Sequence, residues 1–416
     1  MPTTSKNFTS HLNQLHSGVY RSVRVLAWLF AFVLIWHALY FYGLPIEMLC
    51  AVFGLIVVAI LFYRLADAWV LALSLIIVTA VLELCLWATG LGTQMFYRPT
   101  EMLRIGSNDY GYVYQPNRQM TMHSPYSDLE ATHRVGILEP RDIEFVTDSL
   151  GFRNRTDYAG QALFLVGDSY AMGEGSTQAC MVTEVLKNTF HQDVYNLAHS
   201  GNQPHDYVKH INTFSKMHQQ RPRAIVMFFE GNDFETFEPH VYPKMVTRSY
   251  QDFFKRSNVY RYTRWLYLRA MKPKDEGEGP VIKTVKGVPM AFSSWYVGNV
   301  LREEALQDRY MHLSEFFTRL EGTVAQIIFV PDKYRVYAAL LDQPPATPLP
   351  NRNWEYLSTL AQQHQIPALN LYPALSTAAK QALERNEYLY WRGDTHWNCL
   401  GMEVAAGVLS QALNLP

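Results

Sequence analysis

The chain has 416 residues, enough for more than one domain, and a net charge of -1. A near-neutral balance spreads no basic field, which argues against nucleic acid as a partner. No Gly-rich phosphate loop and no Cys/His set at zinc spacing is present, so neither a cofactor nor a metal is expected.

After a short tail, residues 1–24, the chain is overwhelmingly apolar as far as Leu91. Val25 to Tyr42 carries no Lys, Arg, Asp or Glu; Ile46 to Tyr63 has Glu47 at its edge; Trp69 to Gly90 has Glu83. Each run has about the length that a helix needs to cross roughly 30 Å of hydrocarbon, so residues 25–92 are expected to form a three-span membrane anchor. Lys6, Arg21 and Arg24 precede the first run and Arg64 follows the second. The positive-inside bias therefore puts the N-terminus in the cytoplasm and everything beyond Leu91 outside, against Arg98 and Arg104 on the outer side. The expected location is the inner (cytoplasmic) membrane, with the remainder periplasmic or extracellular. His37 and Glu83 would lie at similar depth and neutralise each other, or each would snorkel separately.

Residues 93–160 form a polar and aromatic linking region with turn signals, NDYGYVYQPN and TDSLGFRN. Short strands are expected at RVGIL and IEFVTD. The region reads as a small β extension that spaces the next domain from the bilayer, with substrate contact as the alternative.

From residue 161 to 416, five apolar, β-branched or aromatic runs recur: 162–167, 194–198, 224–230, 326–331 and 367–372. Helical stretches between them predict a parallel sheet covered on both faces. An insert at about 234–300 holds the aromatic and basic YQDFFKRSNVYRYTRWLYLRAM, which reads as a glycan or membrane contact or as an amphipathic closing helix. KPKDEGEGP, Lys272 to Pro280, reads as a mobile connector. Cys180 and Cys399 either pair in an oxidising compartment or remain buried thiols.

The chemistry gathers at strand ends. FLVGDSYAMGEG runs from an apolar strand through Gly167-Asp168-Ser169 into a helix start. A serine nucleophile needs a base and a group that orients the base. Gly393-Asp394-Thr395-His396 supplies both before the last helix. The oxyanion of a tetrahedral intermediate needs fixed donors. The N–H of Ser169, the N–H of Gly201 and the amide of Asn232, each after a different strand, are the natural set. Asp168 and Asp233 read as structural, bonding loop backbone.

The GDS, NLAHSG, GND and DTHWN segments resemble the four blocks of the SGNH (GDSL-like) hydrolase superfamily. The resemblance runs from about Gln161 to the C-terminus. It implies an α/β, flavodoxin-like three-layer domain with a parallel sheet and catalysis on esters. Ser169 would be the nucleophile, His396 the base, Asp394 its orienter, and Gly201 and Asn232 the rest of the oxyanion hole. The usual last block separates Asp from His by three positions; here the separation is two, so a backbone carbonyl is the alternative orienter. FVPDKYRVY (329–337) and LYWRGDTHWN are similar to segments of the alginate O-acetyltransferase-like branch, which acts in exopolysaccharide acetylation. Lys333 and Tyr334 are then either substrate contacts or ordinary loop residues.

Together these readings predict an O-acetyltransferase with a polysaccharide acceptor and a membrane-bound acyltransferase as its acyl source. The alternatives are an esterase or deacetylase with the same catalytic residues, and a non-catalytic glycan-binding scaffold of a secretion complex.

Overall fold

A computed structural model describes residues 65–89, 100, 103–124, 127–133, 135–218, 223–234, 257–260, 279–301, 307–319 and 322–413. The chain divides into two compact units, Met1–Cys85 and Leu86–Pro416. Helix α1, Leu65–Thr89, is 25 residues long and falls on the third expected span. Leu73, Ile76, Ile77, Val81 and Leu84 on it are exposed. Side chains on α1 are described for only part of its length, and among the described residues no helix is long and apolar enough to cross a membrane. The other two expected spans, His37, and all but residues 257–260 of the aromatic and basic segment of the insert lie outside the described residues.

The second unit begins with antiparallel pairs. β1 (Arg104–Ser107) pairs with β2 (Gly111–Tyr114). β3 (Gln119–Ser124) pairs with β4 (Arg141–Val146) across the short helix α2 (Asp128–His133). The IEFVTD expectation corresponds to β4. The described part of RVGIL, residues 135–138, is not a strand: it is irregular, with Gly136 at a φ of 76°.

The α/β part follows in order: β5 (Leu163–Val166), α3 (Ser169–Met172), α4 (Val182–Phe190), β6 (Val194–Asn196), α5 (Pro204–Met217) and β7 (Arg223–Phe229). The insert contributes a hairpin, β8 (Val281–Val285) and β9 (Val288–Phe292), and α6 (Ser294–Leu301); α7 (Gln307–Arg319) follows it. The chain closes with β10 (Val324–Val330), α8 (Lys333–Tyr337), α9 (Arg352–Gln363), β11 (Ala368–Asn370), α10 (Tyr372–Glu384) and α11 (Cys399–Leu413).

β5, β6, β7, β10 and β11 fall on the five apolar runs and form one parallel sheet of order β11-β10-β7-β5-β6. Numbered along the chain this is 2-1-3-4-5, the flavodoxin-like order, whose ligand crevice lies where strands 1 and 3 diverge. Ser169 follows the first of these strands. Alternate residues face opposite layers: Leu165, Ile225, Met227 and Ile328 enter one core. Phe164, Val166, Val226, Phe228 and Ile327 enter the other. Both faces are covered, which is why the strands read as continuous apolar runs.

Cys180 and Cys399 form a disulfide, with Cα atoms 4.9 Å apart. Between the alternatives of paired and free thiols, the pairing holds, and it ties the turn before α4 to the first residue of α11.

Candidate active site

β5 ends at Val166 and the chain turns directly into α3. The Asp168 carboxylate accepts from Tyr170 N–H at 2.9 Å and caps this turn. Burial pushes Asp168 up to about 6. Ser169 is the first residue of α3 and half-buried. Asp233 accepts from Tyr207 Oη and Phe229 N–H and secures the turn after β7; burial raises it well above the usual carboxylate range.

The segment between α10 and α11 is closed by a bridge between Tyr390 and Trp397, and Trp391 N–H donates to His396 O at 3.2 Å. Within it, Asp394 Oδ1 accepts from His396 N–H at 3.1 Å, an Asx-type turn. The same oxygen lies 2.8 Å from His396 Nδ1. A separation of two residues thus suffices, because the turn folds the carboxylate under its own neighbour's ring; a carboxylate, not a carbonyl, meets Nδ1. On the other side, His396 Nε2 stands 2.8 Å from Ser169 Oγ. The hydroxyl, imidazole and carboxylate form one continuous hydrogen-bonded line.

The electrostatics follow from the neighbours. Burial would lower the pKa of His396, but Asp394, Asp128 and Glu174 outweigh it and raise it to about 9. Burial would raise Asp394, but Arg141 and His396 hold it well below the usual range. Asp128, Asp394 and His396 bring potential metal-ligand atoms within 4.8 Å of one another. Both Asp394 oxygens are already engaged, Oδ1 by the imidazole and Oδ2 by the Arg141 guanidinium at 2.5 Å, and a guanidinium at that place repels a cation. The set fits proton transfer better than metal binding.

Gly201 and Asn232 lie after β6 and β7, the strands on either side of β5. Gly201 is exposed with a φ of 82°, a backbone state that favours glycine, and Asn232 is half-buried close to the Asp168 carboxylate. Lys333 and Tyr334 are buried in α8. The Lys333 ammonium donates to the carbonyls of Ala291, Trp391, Arg392 and Asp394 at 2.7–2.9 Å. Tyr334 packs edge-on against Phe292. Lys333 therefore braces the histidine-bearing loop from within.

Sequence reasoning passed over the residues of the linking region. Arg153, fully buried, donates to the carbonyls of Met172, Gly173, Ser176 and Glu144 and to Gln178 Oε1. Tyr112 Oη and Arg104 donate to Ser200 O, beside Gly201. Asp128 and Arg141 reach the DTH segment. Their only signal was a run of polar residues in a segment read as a spacer. A small cleft is lined by Thr100, Asp128, Arg141, Glu174, Asp394 and His396.

Residues 292–416 match the family described as SGNH hydrolase-like domain, acetyltransferase AlgX. This part of the chain is similar to an SGNH hydrolase-like domain. It holds Asp394 and His396, whereas Ser169 precedes the matched segment. Among solved structures, a lipolytic G-D-S-L family protein from Veillonella parvula DSM 2008 shares 11% identity at a TM-score of 0.33, over 61% of this chain and 98% of that one. Protein YxiM of Bacillus subtilis shares 12% at a TM-score of 0.33, over 72% and 75%. No curated protein matches the chain.

Proposed function

We propose that this SGNH domain is a serine-dependent O-acetyltransferase, anchored in the inner membrane and facing outward, that moves an acetyl group onto a hydroxyl of a surface or secreted polysaccharide. The carrying observation is the line of 2.8 Å contacts from Ser169 Oγ through His396 to Asp394. His396 Nε2 takes the serine proton as Oγ attacks the acetyl carbonyl. The resulting oxyanion meets Ser169 N–H, Gly201 N–H and the Asn232 amide, and the donor's alkoxide leaves with the proton from His396. In the second half, His396 deprotonates the acceptor hydroxyl, which takes the acetyl group and frees Ser169. A membrane-bound acyltransferase would supply the donor.

With water as acceptor the same groups would hydrolyse the ester; the likeness of residues 292–416 to an acetyltransferase domain favours transfer. The exposed apolar residues of α1 and the Cys180–Cys399 disulfide support an anchored chain in an oxidising compartment. The test is to supply the full chain in detergent with an acetyl ester, with and without glycan acceptors. Ser169-dependent acetylation of the glycan is expected. Acetate release unaffected by acceptors would mean hydrolysis, and loss of neither activity in Ser169→Ala would remove the triad from the reaction.

A further inference from the structure

The Asp394 and His396 side chains come from the SGNH domain, but much of what fixes them comes from the linking region. Asp394 Oδ2, the oxygen turned away from the imidazole, accepts from Arg141 on β4 at 2.5 Å and from Asp128 N–H at 3.3 Å. Asp128 Oδ1 accepts from Thr395 N–H at 2.9 Å, and its second oxygen accepts from the Thr395 hydroxyl. That same oxygen lies 3.8 Å from His396 Nδ1. Arg141 stacks over the Trp391 ring, 4.3 Å from its centroid, and also donates to Ser127 Oγ. A Cβ at Gly175 would stand 2.8 Å from the Arg141 guanidinium, so the absence of a side chain there opens its path to Asp394.

We propose that Asp128 and Arg141 are positioning residues of the catalytic triad, so that the linking region is a working part of the active site rather than a spacer. This rests on the triad reading above. The short Asp-Thr-His turn gives Asp394 a single oxygen for the imidazole. Arg141 and Asp128 N–H stop the carboxylate from rotating by occupying the other oxygen. Asp128 holds the residue between acid and base by both of its donors, and its negative charge adds to that of Asp394 on the imidazolium. The charged and titratable groups around His396 are Asp394 on its own loop, Asp128 at the start of α2, Glu174 after α3, Asp168 before it, and Arg141 acting through Asp394. Arg153 lines the same cleft.

The full chain in detergent serves for the test, with release of acetate from a simple acetyl ester measured across pH and the His396 imidazole titrated by NMR. Asp128→Asn is expected to lower the His396 pKa by about one unit, because one of the nearby negative charges is removed, and to move the alkaline rise of kcat with it at little change in KM. Asp128→Ser, which keeps a short acceptor at the helix start, should do the same and guards against misfolding. Arg141→Gln should reduce kcat by roughly 10- to 100-fold, and Arg141→Lys should restore part of it, since a lysine can still hold Asp394 Oδ2. An unmoved His396 titration in both folded Asp128 variants, or Arg141→Gln with unchanged kcat, overturns the proposal. The NMR titration separates the two claims. If Ser169→Ala kept full activity, the triad reading would fall while the shift in Asp128→Asn would still show the linking region setting the state of His396.

Discussion

His396 sits against Asp394 and Asp128, and its proton is the quantity on which both chemistry and folding turn. Its pKa is raised from an ordinary 6.5 to about 9. A base must be neutral to accept the serine proton, so kcat/KM is expected to rise with pH and level off above about 9, read from a pH–rate profile. Folding moves the other way. The folded state binds the proton more tightly, so this stabilisation is complete below 6.5 and is lost as pH climbs through about 9, which thermal melts at a series of pH values would show. Activity and the stability contributed by this residue thus trade against each other over the same window. Arg153 makes a second prediction. It is a buried cation that meets carbonyls and an amide oxygen, and burial lowers it to about 10. Arg153→Met would leave the carbonyls of the nucleophile turn without donors, with an expected loss of about 3 kcal/mol in denaturant unfolding. The residues of the candidate triad were legible in the sequence because Ser169 stood in a short block at a strand end and Asp394 and His396 in another before the last helix. Asp128 and Arg141 were not, because a residue that serves another loop across more than two hundred positions leaves no local pattern; Arg153 was not, because its acceptors are mostly backbone carbonyls, which any sequence supplies.

Among the elements, the five parallel strands were legible because burial on both faces makes each an unbroken apolar run. Of the antiparallel strands β4 was legible, as IEFVTD; β1, β2, β3, β8 and β9 were not, since short strands with polar residues resemble loops. RVGIL misled for the opposite reason. It is apolar enough for a strand, yet Ile137 is buried by packing beside Leu129 and Ala291, with no strand partner. The disulfide joins segments 219 residues apart, one just behind the nucleophile turn and one three positions after His396. Replacing both cysteines by serine is expected to lower stability by about 2–4 kcal/mol, measured as a fall in Tm under oxidising conditions only. In the presence of a reductant the wild type and the double variant should melt together.

In the molecule as a whole, the linking region braces all three loops of the candidate site: Arg153 the turn that holds Ser169, Tyr112 and Arg104 the Ser200 carbonyl, Asp128 and Arg141 the DTH segment. A chain starting near residue 100 should therefore keep Ser169-dependent ester cleavage, while one starting at residue 161 should lose it, as assayed with an acetyl ester after both are checked for folding. The expectation of a membrane anchor rests on composition and belongs to the functional proposal. One more consequence attaches to the Cys180–Cys399 link. Cys180 is made well before Cys399, so the crosslink can close only once residue 399 has been synthesised. A product terminated before residue 399 carries a bare thiol at position 180, and peptide mapping after labelling with a thiol-reactive dye would find the label there, whereas the crosslinked chain takes it at Cys85 and not at Cys180.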